Sequence, residues 1–212
     1  MSHGVHAVQH EVEHKIKHDE HGGGHHVEKD LNKRIALLIS LMALCLAFSE
    51  TLGKSAQTSA LNFQIEASNL WNFFQAKNIR RTATIVAAES AKIDAIGATA
   101  PEHKAALAKQ IGDWERTAAR YRSEPEAAGG LGEGTVELSR RALEEQVKRD
   151  TALARYHHYE VGSAAFQIGI VLASATVITG MVILAYLAIG LGLIGIGFTA
   201  IGLFAPHAVH LF

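Results

Sequence analysis

The run HGVHAVQHEVEHKIKHDEHGGGHH, residues 3–26, carries eight histidines, seven of them three or four positions apart. Neutral imidazoles spaced i,i+4 on a helix can chelate a borderline divalent cation, and zinc, copper and nickel all accept such nitrogen ligands. At about 100° per residue, His3, His6, His10, His14, His18 and His21 fall within an arc of roughly 120° on a helix, and Val5, Val8, Val12 and Ile16 take the opposite arc. Glu11/Lys15 and Glu13/Lys17 add two i,i+4 pairs of the favourable polarity. His6, His10, His14, His18 and His21 are therefore candidate ligands for an exchangeable Zn, Cu or Ni ion. The sequence offers no rigid fourth ligand and no visible outer shell to orient the rings.

Two plainer readings compete with metal. Near pH 6 the imidazoles gain charge together, and a cationic face would favour anionic lipid. Alternatively the tail is a solvated linker whose histidines have no specific role. Val, Ile and His are mediocre helix formers, so the tail alone would be marginal in water and would order only when its aliphatic stripe meets a partner.

Other chemistry is sparse. No serine, cysteine or carboxylate constellation suggests catalysis, and the expectation is a protein that is not an enzyme and holds no resident cofactor. The lone cysteine, Cys45, lies in an apolar run and reads as a small packing residue. GLGLIG, Gly190–Gly195, spells G-x-G-x-x-G, but the dinucleotide fingerprint needs a preceding strand and an acidic residue about twenty positions on. No Asp or Glu follows Glu160. Glycines here suit close approach of helix backbones within a membrane. Glu50 and Lys54 after the first apolar run, and Tyr156-His157-His158-Tyr159-Glu160 before the second, would share one level if their helices pair. An aromatic and ionic belt fixing helix depth is the preferred reading, ahead of an ion or proton site.

These residues must be carried by helices. The chain has 212 residues and a formal charge of −1, with no field to recruit nucleic acid. From Ala164 to Ala205 no charged residue occurs, a length that suits two spans of roughly twenty residues each. The Tyr186 region is expected between them. A shorter apolar run, Ile35–Phe48, can span if Lys33, Arg34, Glu50 and Lys54 snorkel to the interfaces.

From Glu28 to about Gly97 there is no proline and only one glycine, Gly53, so one long helix is predicted, continuing beyond the bilayer as a stalk. Phe63, Ala67, Leu70 and Phe74 recur at four, three and four, a seam that wants a helical partner. Thr99-Ala100-Pro101-Glu102 has the form of a capping box opening a second helix to about Arg122. SEPEAAGGLGEG is a breaker cluster. From Thr135 a third helix carries Leu143, Val147, Ala154 and Val161 at near-helical spacing and flows into the second span.

The organisation follows: a His-rich amphipathic tail (1–27), a first transmembrane helix (28–49), a helical hairpin domain with a long stalk (50–162), a transmembrane helical pair (163–205) and a C-terminal tail (206–212). The expected fold is an all-α integral membrane protein with three transmembrane helices and an extramembrane antiparallel helical hairpin.

The stretch GKSAQTSALNFQIEASNLWNFFQAKNIRRT, just after the first span, resembles bacterial membrane proteins catalogued as domain of unknown function 4337. In that group a His/Glu-rich N-terminus, an anchoring span, a stalk with EASN and QAK, and a C-terminal pair of spans follow in the same order. The resemblance implies a multi-pass protein of the bacterial inner membrane, and it carries over no activity and no catalytic residue.

The expected function is that of a non-enzymatic, membrane-anchored structural or interaction protein. It would self-associate through the stalk (Phe63, Leu70, Phe74) and the glycine-rich spans (Gly190, Gly195), with the lipid bilayer, further copies or another membrane protein as partners. A divalent-metal-handling accessory protein using the His tail is the alternative, and an oligomeric pore or transport component the third reading. The absence of charge inside the spans argues against a coupled carrier.

Overall fold

The structure, a computed structural model, describes residues 23–209. The described residues form four α-helices and one short 3₁₀ turn: α1 (Gly23–Gly97), α2 (Pro101–Arg122), the turn Ala128–Gly130, α3 (Thr135–Thr179) and α4 (Val182–Phe204). The fold is all-α, and three of the helices, α1, α3 and α4, are long and apolar enough to cross a membrane. At 1.5 Å per residue the 23 residues of α4 reach about 34 Å, enough for a hydrocarbon core of about 30 Å.

The helix boundaries follow from local chemistry, with three departures from expectation, the first being that α1 begins at Gly23 rather than Glu28. α2 begins with Pro101 at its first turn, but its N-cap is Ala100 in extended backbone, with no side-chain cap hydrogen bond. A residue before proline is pushed out of the helical region, which makes Ala100 rather than Thr99 the boundary and leaves the expected capping box unformed. The turn between the last two helices is at Gly180, not near Tyr186, which lies inside α4 and is exposed. Gly180 takes φ +71°, a left-handed conformation that closes α3, and its N–H bonds to Thr176 O at 2.9 Å. Thr179 Oγ1 accepts the next N–H, from Met181, at 3.3 Å.

The described residues fall into two compact units, one from the residues up to Gly53 together with those from His157 onward, the other Lys54–Tyr156. In the first unit Ile35, Ala173 and Ala188 form a buried cluster flanked by Leu31, Leu38, Ile39 and Leu172. Ile35, Met42 and Ser49, seven apart, all turn inward. The second unit is built on the corresponding stripe of α1. Ala56, Ala60, Ala67, Leu70, Lys77, Ala88 and Ala91 are buried, and Phe63 and Phe74 are half-buried between them. These positions alternate by three and four from Ala56 to Lys77 and resume in the same phase at Ala88 and Ala91, the 3.5-residue repeat of a supercoiled pair.

Two helices cover that stripe. Leu70 packs with Leu138 and Ala142 of α3, joined by Trp71 and Phe74. Further along, Lys148 Nζ lies 5.9 Å from the Phe63 ring and Arg149 Nη1 donates to Gln64 Oε1 at 2.7 Å. As numbers fall along α1 they rise along α3, so the two run antiparallel. Towards the other end Lys92 pairs with Glu115 of α2 at 2.5 Å. The return path along α1 is thus made in two pieces, α2 and then α3, with a loop between.

Candidate interaction surfaces

The sequence-derived interaction residues occupy different environments. Leu70 is buried and Phe63 and Phe74 half-buried in the seam just described, so this stripe of the long helix is used within the chain. Most of its members are alanines, which bring two helix axes close together. The return helix meets it with Leu138 and Ala142, both fully buried, and Ala152 is buried further along the same helix. Leu143 and Val147 point the other way and are 54% and 65% exposed. Their helical spacing is real, but it marks an outer face.

In the first unit the glycines differ one from another. A Cβ on Gly195 would fall 2.8–2.9 Å from the Phe166 ring, and one on Gly202 would fall 2.9 Å from the Tyr159 ring. Both glycines let an aromatic side chain of α3 lie against the backbone of α4. Gly190 has nothing within 4 Å of the same position. Gly195 is therefore a packing glycine and Gly190 an outward one.

A polar cluster lies in the same interior. Ser49 Oγ lies 3.1 Å from Tyr159 O and 3.2 Å from Thr199 Oγ1, and Thr199 Oγ1 lies 2.8 Å from Gly195 O, so the two hydroxyl hydrogens serve two of these three bonds at a time. Such bonds satisfy hydroxyls and link α1, α3 and α4 without a charge, as hydroxyl side chains do between membrane helices. His158 is 1% exposed; its Nε2 lies 3.1 Å from Pro206 O and its ring stacks on Phe198, 6.1 Å between centroids. Tyr159 is also buried, at 3% exposure. The expected belt therefore does not include these two side chains, which face the interior because Gly202 leaves room for them. Glu50 does meet a partner, accepting from Gln167 Nε2 at 3.2 Å.

The breaker cluster 123–134 is ordered by a set of residues that sequence reasoning did not single out. Lys77 interrupts the apolar stripe of α1 and is 7% exposed, yet its Nζ sits 3.5 Å from both Glu124 and Glu133 and 5.3 Å from the Phe73 ring centroid. A cation at an inward heptad position, opposite an acidic loop, is the signal that could have found it. Ser123 donates its hydroxyl to Glu137 Oε1 (2.5 Å), and the Glu124 N–H donates to Oε2 (3.3 Å). Arg141 Nη1 donates to Gly132 O at 3.2 Å. Gly132 has φ +79°, and a Cβ on Gly134 would lie 2.8 Å from Arg122 O, so both glycines are required by this loop's path.

The Glu137 carboxyl is pushed up by partial burial, but the hydroxyl of Ser123 and the backbone N–H groups of Glu137, Glu124 and Gly134 together outweigh this and hold it below the usual glutamate range. A carboxyl whose folded pKa is depressed stabilises the fold above its unfolded value, about 4.3, and that contribution disappears as pH falls through the folded value. Hydrogen exchange in residues 123–134 is therefore expected to quicken on acidification below about pH 4.3 relative to the remainder of the Lys54–Tyr156 unit. Glu137→Gln should remove that difference; an unchanged acid response in the variant would refute the assignment.

The histidines named as metal ligands lie outside the described residues. Among the described residues no group of three or more His, Cys, Asp or Glu side chains is placed to hold a metal ion.

The helices and contacts described define an all-α chain with three candidate membrane-spanning helices and a second unit of antiparallel helices. The chain belongs to the family described as Domain of unknown function (DUF4337), which matches residues 31–205. The match thus covers all of α3 and α4 and most of α1, and it begins beyond the His-rich tail. No curated protein and no solved structure matches the chain.

Proposed function

We propose that this protein is a membrane-anchored structural protein that works by self-association, with no chemistry on a substrate. The apolar helices would cross a bilayer as three spans, and the unit Lys54–Tyr156 would stand outside it as a helical hairpin. The family resemblance suggests the inner membrane of a bacterium. The observation that carries the reading is the thinness of that unit. It is built from helices laid along a single stripe of α1, and large aliphatic side chains remain exposed on α1 and α3, among them Leu61, Ile65, Ile79, Val86, Ile93, Leu143 and Val147. These side chains lie on two outward faces, one on α1 and one on α3, and exposed apolar surface of this kind marks a place where a partner can pack.

Native mass spectrometry of the untagged protein, extracted gently from its own membrane, tests this. The expected result is a homo-oligomer of fixed copy number. A monomer would overturn the reading, and a metal ion lost on deleting residues 1–27, or one constant foreign chain, would replace it with an accessory role.

A further inference from the structure

We infer that α1 carries a second heptad seam, on the side opposite its intrachain one, and that this seam pairs with the same seam of a second copy in parallel register. Ile65, Asn72, Ile79, Val86 and Ile93 recur every seven residues, and Asn69, Ala76, Ala83, Ser90 and Gly97 fall four residues after each. All ten are exposed; Ile79 is 69%, Val86 58% and Ile93 70% accessible. At the 3.5-residue repeat these positions lie across the helix from Leu70, Lys77 and Ala91. A helix with a heptad stripe on each side is suited to two helical partners, and the chain supplies one.

The pattern identifies the other. A repeat sustained over four heptads is matched throughout its length only by a helix of the same period. Copies held in one bilayer by the same apolar segment of α1 run parallel, with each residue level with its counterpart. Ile79, Val86 and Ile93 then stack as aliphatic layers, separated by layers of Ala83 and Ser90 that permit close approach. Asn72 meets Asn72, a side-chain pair that can donate and accept reciprocally and that fixes register in parallel coiled coils. Flanking charges bear on the pairing as well. Parallel alignment sets Gln75 beside Arg80 and Glu89 beside Asp94, whereas an antiparallel alignment would set Arg80 beside Asp94. Parallel pairing should therefore strengthen as added salt screens the acidic pair, and antiparallel pairing should weaken.

This inference rests on the self-association proposed above, and one set of variants separates the two. In a Cys45→Ala background, single cysteines replace Ile79, Val86 and Ile93 in the seam, and exposed Asn78 and Lys92 beside it, followed by mild oxidation in native membranes. Disulfide dimers require Cα atoms within about 7 Å. The expected result is dimer at Ile79→Cys, Val86→Cys and Ile93→Cys, with none at Asn78→Cys or Lys92→Cys, and a yield that rises with salt. Equal yields at all five positions, or a mixed disulfide between Ile79→Cys and Gly97→Cys without self-dimers, would overturn the parallel seam. An oligomer in native mass spectra with no cross-link at the seam would place assembly elsewhere and leave the proposed function standing. A monomer there would remove both.

Discussion

Replacing Leu138 with alanine is expected to cost about 2–5 kcal/mol, the range for emptying a buried leucine site that collapses only in part. Leu138 is completely buried against Leu70 and Ala142. The unit around it is one helix deep on each side, so few neighbours can move in to fill the space. Leu143→Ala, five residues along the same helix, should change stability by less than about 0.5 kcal/mol, because that side chain is already more than half exposed. Urea titration in mild detergent, with hydrogen exchange mapped onto Lys54–Tyr156, distinguishes the pair. Equal losses would mean that the inward face of α3 has been misassigned.

The second large effect is expected at Gly195. A leucine there drives its first carbon into the Phe166 ring, since even a Cβ would stand 2.8–2.9 Å from three ring atoms. The ring is 1% exposed, so it must leave its packed position and shift towards the apolar cavity it lines with Leu44, Phe48 and Ile196 before the leucine fits. Overpacking of this kind costs about 1–3 kcal/mol or more. Gly190→Leu, with open space around it, should leave the thermal unfolding midpoint in detergent where it was. Phe166→Ala should restore part of what Gly195→Leu loses, and the double-mutant cycle measures the coupling. Additive losses would show that the ring does not set the limit.

The ends of the helices were legible because punctuation in this chain is strong. Gly97 ends α1, Pro101 opens α2, the cluster SEPEAAGGLGEG separates α2 from α3, and α3 starts at Thr135 as its periodicity predicts. The turn between the last two helices was placed too late, since an unbroken apolar run hides a single left-handed glycine among many; only the backbone of Gly180 marks it. The residues of α3 that turn inward were not singled out, for a different reason. Pattern reading favours large apolar residues, and Leu143 and Val147 are larger than Ala142 and Ala152. Here Ala142 and Ala152 turn inside with Leu138, while Leu143 and Val147 are left out. Phe63, Ala67, Leu70 and Phe74 were recognisable as a seam because α1 puts aromatic residues on it. Lys77 was missed because a buried lysine makes sense only beside Glu124 and Glu133, which come from a loop some fifty residues away.

The broken return path has a consequence for how this family can change in length. α1 is a single helix whose buried positions keep a strict count of sevens, so one inserted residue would rotate all that follows by about 100° and carry the inner stripe off the helices that cover it. Opposite it, residues 123–134 join two helices through a loop, and a loop can absorb an added or lost residue for little free energy. Insertions and deletions among relatives should therefore gather between α2 and α3, while α1 varies by whole heptads or not at all. Natural variation in length would then be written almost wholly in one arm of the hairpin.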